Sequence, residues 1–476
     1  MESVLSNMKT ILHLGLGSFH RAHQAVYLHA LHQAGDTSWV LAGGNTRPDM
    51  ADTLAALAAQ GGAYTLETIS PAGEHRYERV TSIRKIVPYT PDLAGLVAEG
   101  ANVATKIISF TVTEAGYYLD AANRLDTATF ADLRQDLEAA QAGRVGATIY
   151  GALTAILRAR RAAGAGPVTL LCCDNLRHNG DRSRAGLLQF IERIGDNDLL
   201  TWVQANTTSP NAMVDRITPR PTPDVRERVL AATGVDDPAA VMGESFIQWV
   251  IEDRFIAGRP AWEKVGVEMV ESVAAYEEAK IRLLNATHSC IAWAGTLVGY
   301  LYIHEGTHDP VIRRMAYDYV TNDTIPVLDT PEHPCPINLP QYRDVVLDRF
   351  GNPAIRDTNQ RVAMDGFSKI PGFITPTIRE RMARNEDIDS VAMLPALFLA
   401  YLQRWHKGDI PYQYQDQAME PAVAHAMCAA VDPVTAFCAD GSLWGDLVSN
   451  EKLVNAMREA FARVNHFIKE NHHVQH

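Results

Sequence analysis

Short apolar runs rich in β-branched residues alternate with amphipathic stretches over the first half of the chain. The apolar runs predict strands, and the amphipathic stretches 23–34 and 146–162 follow the helical repeat of hydrophobic positions. The predicted strands are 10–14, 38–42, 106–112 and 167–173, with shorter candidates at 212–217 and 245–251. Buried strands separated by helices are typical of a parallel, doubly wound α/β sheet.

The pattern changes in the second half, where the helical repeat dominates and strand candidates nearly vanish. Predicted helices are 273–300, 310–321, 341–349, 376–385, 390–406, 418–430 and 449–470. The sequence therefore predicts a Rossmann-type, doubly wound domain over 1–275 and a mostly α-helical domain over 276–476. A substrate site between two such domains is the default expectation.

Composition narrows the class of protein. Of the 476 residues, 47% are apolar, and the formal charge is −13 with no basic run, which argues against a nucleic-acid partner. No apolar run reaches 18 residues, so no membrane span is expected. None of the six cysteines forms a CxxC pair, which predicts free thiols rather than a zinc site. We therefore expect a cytoplasmic protein without a metal, either a monomer or a weak homo-oligomer.

A glycine-rich loop follows the first predicted strand and opens the first helix, where a Rossmann phosphate loop belongs. It reads Gly15-Leu16-Gly17-Ser18-Phe19-His20. Gly15 would permit the tight turn, and Gly17 would let the backbone approach a pyrophosphate at the start of the helix. His20 takes the place of the third glycine of the usual fingerprint. An ordinary strand-to-helix turn is the alternative interpretation, but the position of the loop favours dinucleotide binding.

The second predicted strand does not end in the acid that would hold the ribose hydroxyls of NAD. Asn45 stands there instead and could hydrogen-bond the ribose. Arg47 could hold the 2′-phosphate of NADP or lie on the surface. The residues favour NAD as the cofactor and leave NADP open.

One helical segment carries four polar side chains on a single face. At about 100° per residue, these four side chains fall within an arc of roughly 140° around the helix, and Leu284 lies in the same arc. The four are Glu277, Lys280, Asn285 and His288. A buried lysine could take the proton of an alcohol, an asparagine could donate to the alkoxide, a histidine could orient a hydroxyl, and Glu277 could relay the proton. The alternative is a helix with exposed Lys and Glu and with satisfied core Asn and His.

Three further segments hold candidate site residues. Asn175 follows a predicted strand and could be a second alkoxide donor, although Asn179 lies in the same loop. Asp215 could enter the cleft or pair locally with its neighbour in the chain. The remaining candidates are two cations, Arg361 and Lys369, which could bind substrate hydroxyls. A surface role is the simpler interpretation of those cations from the residues alone.

These segments, in this order, resemble the polyol-specific long-chain dehydrogenases, the mannitol dehydrogenase family. The block Lys280-Ile281-Arg282-Leu283-Leu284-Asn285-Ala286-Thr287-His288 is the most specific match. The other matching blocks are residues 15–23, 113–117, 173–176, 214–219 and 248–253. The resemblance implies oxidation of a sugar alcohol to a ketose with NAD or NADP, without a metal, by a lysine base.

By matched position, the resemblance assigns a role to each candidate. Lys280 resembles the base, Asn175 and Asn285 the alkoxide donors, His288 the residue that orients the substrate, and Glu277 the proton relay. Substrate contacts are implied for Asp215, Arg361 and Lys369. Cofactor contacts are implied for Gly15, Gly17, Ser18, Phe19, Asn45 and Thr113.

The resemblance also bears on the substrate. The segments 14–25 and 367–371 are most similar to members that oxidise D-arabinitol to D-xylulose. Oxidation of D-mannitol at C2 is the alternative, followed by reduction of a uronate, which would need a further cation for the carboxylate.

A protein that keeps the fold but only binds a nucleotide is a different class. Intact Lys280, Asn285 and His288 argue against it.

Overall fold

The computed structural model describes residues 8–120 and 122–471 and divides them into two compact units. The first unit holds the chain up to Ile69 together with Glu74–Ala274. The second holds Ser70–Gly73 and the chain from Ala275 onward. No helix in the described part of the chain is long and apolar enough to cross a membrane.

A six-stranded parallel sheet forms the centre of the first unit, in the order β5-β2-β1-β6-β7-β8. Two three-stranded sheets, β10-β3-β4 and β12-β11-β9, accompany it. The strands are β1 (Lys9–Leu14), β2 (Trp39–Gly44), β3 (Tyr64–Ile69), β4 (His75–Val80), β5 (Ile83–Ile86), β6 (Thr105–Phe110), β7 (Val168–Cys172), β8 (Thr207–Thr208), β9 (Ala212–Asp215), β10 (Val241–Glu244), β11 (Gln248–Glu252) and β12 (Glu268–Val270).

Alternate side chains of the central strands enter two separate hydrophobic clusters. Ile11 of β1 packs into one cluster, whereas Leu12 and Leu14 pack into the other. Because successive side chains of a strand point to opposite faces, this division shows that both faces of the sheet are covered. The predicted doubly wound sheet is therefore confirmed.

The helices of the first unit connect the strands. They are Ser18–Ala22, Gln24–Gln33, Ala51–Ala59, Ala94–Gly100, Ala131–Gln141, Ile149–Ala162, Asn179–Arg193, Asn197–Asn206 and Pro223–Thr233. The helix predicted over 23–34 is found as Gln24–Gln33, and a separate short helix, Ser18–Ala22, precedes it. His23 separates the two helices, because its backbone leaves the helical region at φ −129° and ψ −89°. The His23 ring there hydrogen-bonds the Gln248 carbonyl, 2.8 Å away.

The second unit is helical, and its described residues contain no named strand. Its longer helices are Ala286–Val298, Pro310–Asp318, Leu339–Phe350, Thr375–Ala383, Asp389–Lys407, Pro421–Ala429 and Glu451–Asn471. The predicted helix over 273–300 is divided in the structure. An α-helix covers Ala274–Ala279, a π-helical turn covers Lys280–Asn285, and an α-helix resumes at Ala286.

Two more π-helical turns, Tyr319–Thr324 and Ile370–Ile374, lie in the same unit. The Tyr319 hydroxyl donates to the Arg282 carbonyl at 2.5 Å, which joins the second turn to the first. The Arg282 side chain donates to Thr377, at 2.9 Å, in the helix that follows the third turn. The π geometry of Lys280–Asn285 is thus held by contacts distant in sequence.

Candidate functional site

A cleft of about 880 Å³ lies at the carboxyl ends of the central strands of the first unit. Its walls are the loops after β1, β2, β6 and β7. From β1 the chain order runs one way along the sheet to β2 and β5, and from β6 it runs the other way. The cleft therefore lies at the topological switch point, where ligands of doubly wound sheets bind.

The two glycines of the phosphate loop are required for different reasons. Gly15 has φ +104°, and a Cβ there would lie 2.2 Å from the Thr111 carbonyl oxygen, so only glycine fits. Gly17 lines the cleft, and a Cβ built on it would meet no heavy atom within 4 Å. The backbone at Gly17 is therefore open to a ligand, as the binding of a pyrophosphate requires. Ser18 and Phe19 line the same wall.

Two stacked histidines support this loop from beneath. His13 hydrogen-bonds Ser109 at 2.7 Å and Thr111 at 3.0 Å, and His20 stacks on it with ring centroids 3.5 Å apart. Burial lowers the pKa of His13 to about 3 and also lowers that of His20, so both rings are neutral. His20, which replaces the third glycine of the usual fingerprint, is therefore a core side chain that packs against the loop.

The end of β2 shapes the loop and supplies an acid. Asn45 accepts a hydrogen bond from the Leu16 amide at 2.8 Å, so its carbonyl holds the loop. Its buried Nδ2 has no partner among the described residues, which leaves the amino group to donate to a ligand. Arg47 donates to the Tyr118 hydroxyl at 3.2 Å. Asp49, which is exposed and lies beyond the end of β2, also lines the cleft.

A buried carboxylate fixes the loop after β6. Asp174 accepts hydrogen bonds from the amides of Val112, at 2.8 Å, and Thr113, at 3.0 Å, and from the Tyr117 hydroxyl. Thr113 has φ +65° and ψ 161°, a conformation that costs a non-glycine residue about 1 to 3 kcal/mol. These bonds hold Thr113 in that conformation at the wall of the cleft. No motif in the sequence indicates this role of Asp174.

The two candidate asparagines after β7 have different surroundings. The side chain of Asn179 is fully buried and donates to the carbonyls of Cys172 and Asp174, at 3.1 Å each, while it accepts from the Ala212 amide. Asn179 therefore closes the end of the strand. Asn175 is exposed and lines the cleft. Of the two, only Asn175 stands where it could meet a ligand.

Asp215 is the last residue of β9 and is buried. The next residue, Arg216, donates to the carbonyls of Glu244, at 2.9 Å, and Ala22, at 2.6 Å. Much of the Arg216 guanidinium is thus engaged by backbone oxygens.

In the second unit, the segment that carries the predicted base is buried. Lys280 is 6% exposed and Glu277 is 5% exposed. The alternative interpretation, in which both side chains are exposed to solvent, is therefore wrong. Lys280 and Asn285 are the first and last residues of the π turn. Because a π turn closes hydrogen bonds from i to i+5, Asn285 lies one wide turn from Lys280, and the even α-helical spacing assumed from the sequence is wrong there. Such turns occur frequently at functional sites.

His288 is held by residues from outside its own helix. Its Nε2 lies 2.9 Å from Asp357 Oδ2, and its ring stacks on Phe350 with centroids 4.3 Å apart. Burial lowers the pKa of His288, although the carboxylate opposes that effect. Burial alone would raise the pKa of Asp357, but His288 and Arg361 together bring it down to about 2. Asp357 was missed by the sequence analysis; its i,i+4 spacing from Arg361 was the available signal.

The two candidate cations differ in their surroundings. Arg361 is exposed and binds Asp357 through Nε and Nη2, at 2.7 Å each. Lys369 is partly buried, and its ammonium donates to the Val362 carbonyl. Burial lowers the pKa of Lys369 to about 8. A surface role is therefore wrong for Lys369.

Arg361 also lines an open polar cleft of about 740 Å³ within the second unit. The other lining residues are Thr358, Gln360, Met364, Asp365, Gln415, Asp416 and Gln417. Amides, carboxylates and a guanidinium are the groups that bind polyhydroxylated ligands by hydrogen bonds. Among the described residues, no group of three or more His, Cys, Asp or Glu side chains is placed to hold a metal ion.

Two family models together match most of the chain. Residues 9–264 match the mannitol dehydrogenase Rossmann domain, and residues 272–465 match the mannitol dehydrogenase C-terminal domain. Both the predicted resemblance and the predicted fold class are confirmed.

Three relatives are similar over nearly the full length. D-arabinitol 4-dehydrogenase of Ralstonia nicotianae is 59% identical, covering 97% of this chain and 98% of its own. D-arabinitol 4-dehydrogenase of Klebsiella pneumoniae is 54% identical, with coverages of 97% and 99%. The solved ternary complex of Pseudomonas fluorescens mannitol 2-dehydrogenase with NAD and D-mannitol is 32% identical, with coverages of 98% and 95% and a TM-score of 0.79.

Proposed function

This chain belongs to the mannitol dehydrogenase family of polyol oxidoreductases, and we propose that it oxidises D-arabinitol to D-xylulose with NAD. The observation that carries the proposal is the identity of 59% and 54% with two D-arabinitol 4-dehydrogenases over nearly the whole chain. The buried lysine in a π turn and the nucleotide cleft at the switch point support it. The mannitol 2-dehydrogenases are less similar, at 37% identity for that of Cereibacter sphaeroides.

The dinucleotide would be held by the loops around the cleft of the first unit. Gly15 and Gly17 shape the loop for its phosphates, with Ser18 and Phe19 beside them. Asn45 offers its unpaired Nδ2, and Thr113 is fixed in the opposite wall. When bound, NAD supplies the acceptor for the hydride that leaves the carbinol carbon.

The chain's own residues manage the proton of the reaction. We assign Lys280 as the base that removes the proton from the hydroxyl of the reacting carbon, and Glu277 as the relay that passes it to solvent. Asn175 and Asn285 donate hydrogen bonds to the alkoxide that forms. His288, Asp215, Arg361 and Lys369 hold the other hydroxyls of the polyol. Asp357 positions His288 and Arg361, and the Val362 carbonyl positions Lys369, which lowers the cost of ordering these groups on binding.

Initial rates test the substrate assignment. D-arabinitol, D-mannitol, D-sorbitol and xylitol are each compared with NAD and with NADP. The proposal expects the highest kcat/KM for D-arabinitol with NAD. A higher value for D-mannitol would replace the proposed substrate by its alternative. No turnover of any polyol would favour a protein that only binds a nucleotide.

The acid in the cleft gives a separate test of the cofactor. A carboxylate at the end of the second strand holds the ribose hydroxyls of NAD and repels the 2′-phosphate of NADP. We expect Asp49→Asn to lower the ratio of kcat/KM for NAD to that for NADP by about tenfold, as the loss of one charge-assisted hydrogen bond implies. Asp52→Asn, an exposed acid on the next helix, is the control. An unchanged ratio in Asp49→Asn would remove this acid from the cofactor site.

We also propose that the enzyme is cytoplasmic. All six cysteines are free thiols and five are buried, which suits a reducing cytoplasm. We propose a monomer or a weak homo-oligomer. Sedimentation velocity at several protein concentrations would distinguish these states, and a stable oligomer at the lowest concentration would contradict both.

A further inference from the structure

His288 has a single orientation in the structure because two neighbours fix it. The parallel stack on Phe350, with an interplanar angle of 10°, fixes the plane of the ring. The 2.9 Å contact between Nε2 and Asp357 Oδ2 fixes its rotation within that plane. Both neighbours lie outside the helix Ala286–Val298 that carries His288. The orientation of this ring therefore depends on the segment around residues 350–357.

The chemistry of that contact determines the tautomer of His288. An ionised carboxylate only accepts hydrogen bonds, so the Nε2 that faces Asp357 carries the proton. A neutral imidazole has one protonated nitrogen, so Nδ1 is then the acceptor. A polyol hydroxyl can donate to such an acceptor. A protonated Nδ1 could only donate, and a doubly protonated ring would add a third positive charge beside those of Arg361 and Lys369.

The same carboxylate also holds Arg361. Two parallel bonds of 2.7 Å run from the guanidinium to the two oxygens of Asp357, which is the bidentate geometry with the highest directionality. Asp357 is itself anchored, because its backbone carbonyl accepts from the Ile303 amide at 2.9 Å and its side chain is only 9% exposed. One fixed group thus orients two side chains to which the proposed function gives substrate contacts.

We propose that Asp357 is a positioning residue that holds His288 as the Nε2–H tautomer, so that Nδ1 accepts a hydrogen bond from a hydroxyl of the polyol, and that aligns Arg361 beside it. The inference rests on the proposed function, since that function gives His288 contact with the substrate. Asp357 acts through its two partners and takes no part in the transfer of hydride or proton.

A double-mutant cycle tests whether Asp357 acts through His288. Asp357→Asn keeps the shape of the side chain and removes its charge. We expect kcat/KM for the preferred polyol to fall by about 10- to 100-fold, mainly through KM, while Kd for NADH stays within twofold. In the His288→Ala background, Asp357→Asn should cause a smaller loss than in wild type, because one of its two partners is already absent while Arg361 remains. Equal losses in both backgrounds would overturn the proposal.

A matched control separates positioning from a general loss of stability. Asp344, an exposed acid on the helix Leu339–Phe350 of the same unit, pairs with Arg343 at 2.8 Å. Asp344→Asn should leave KM for the polyol unchanged. If Asp357→Asn lowers only the melting temperature and leaves KM for the polyol at the wild-type value, Asp357 has a structural role alone and the proposal fails.

The tautomer can be measured directly on the wild-type enzyme, which avoids any question of misfolding. Long-range ¹H–¹⁵N spectra of protein labelled at histidine, assigned by comparison with His288→Ala, distinguish the two tautomers and the doubly protonated ring. At neutral pH we expect the Nε2–H form, and either other form overturns the proposal. This spectrum tests the role of Asp357 independently of the substrate. If the enzyme oxidises a polyol other than D-arabinitol, only the proposed substrate is wrong.

Discussion

At the scale of single residues, buried polar side chains decide the shape of both candidate half-sites. Asp174 holds the strained Thr113 in the first unit, and Asp357 orients His288 in the second. His13 and His20 support the phosphate loop as neutral rings. The sequence motifs assign a role to Thr113 and His288, but none to Asp174, Asp357, His13 or His20. Their function follows from their partners, which lie far away in sequence.

The buried histidines predict a dependence of stability on pH. The folded pKa of His13 is about 3, below its unfolded value of 6.5, so the unfolded chain binds the proton first as the pH falls. The stability that the neutral ring contributes is therefore present above pH 6.5 and is lost as the pH falls from 6.5 towards 3. From pH 7.5 to 5.5 this amounts to about 1.4 kcal/mol for His13.

Urea unfolding of wild type and His13→Gln at the two pH values measures this difference. The variant starts from a lower free energy of unfolding because it loses hydrogen bonds, but it should lose about 1.4 kcal/mol less than wild type between pH 7.5 and 5.5. The exposed His333→Gln is the control and should behave like wild type. Equal losses in wild type and His13→Gln would show that His13 is not buried in its neutral form.

At the scale of secondary structure, the π turn at Lys280–Asn285 is the element that matters most for the proposed chemistry. It amounts to one extra residue in an α-helix and sets the rotation between the lysine and the asparagine. The hydroxyl of Tyr319 and the side chains around Arg282 hold it. Sequence periodicity could predict the helix, because the residues on both sides of the turn are α-helical. It could not predict the wide turn, whose contacts come from distant segments.

Deletion of Ile281 tests the importance of this turn. Removal of one residue converts the i→i+5 pattern to i→i+4 and rotates Lys280 relative to Asn285. We expect kcat to fall by at least about 100-fold, as misplacement of a reacting group by an ångström can cause. Kd for NADH should remain within twofold, since the nucleotide loop belongs to the other unit.

Ile281→Ala is the matched control, because it removes the side chain but keeps the register of the helix. It should retain most of the wild-type kcat. A deletion variant that binds NADH, keeps its far-ultraviolet circular dichroism and turns over at the wild-type rate would show that the π turn has no catalytic importance.

At the scale of the whole molecule, the sequence predicted the central strands β1, β2, β6 and β7 because they are continuous apolar runs. It missed the hairpin β3–β4, whose second strand is largely polar and exposed. Charged side chains on a solvent-facing strand carry no apolar signal. The nucleotide loop was found because its position after β1 is fixed by the fold. Asp49 could not be predicted, because it lies beyond the strand tip and only the fold shows that it lines the cleft.

The central claim is that Lys280 is the base, and Lys280→Ala tests it most directly. General base catalysis contributes about 10²- to 10⁴-fold, so kcat for D-arabinitol should fall by that factor while Kd for NADH is unchanged. Lys407→Ala, an exposed lysine of the same unit, is the control and should have wild-type kcat. Dialysis of wild type against a chelator should leave its rate unchanged. A Lys280→Ala enzyme with wild-type kcat, or a wild-type enzyme inactivated by the chelator, would contradict the account.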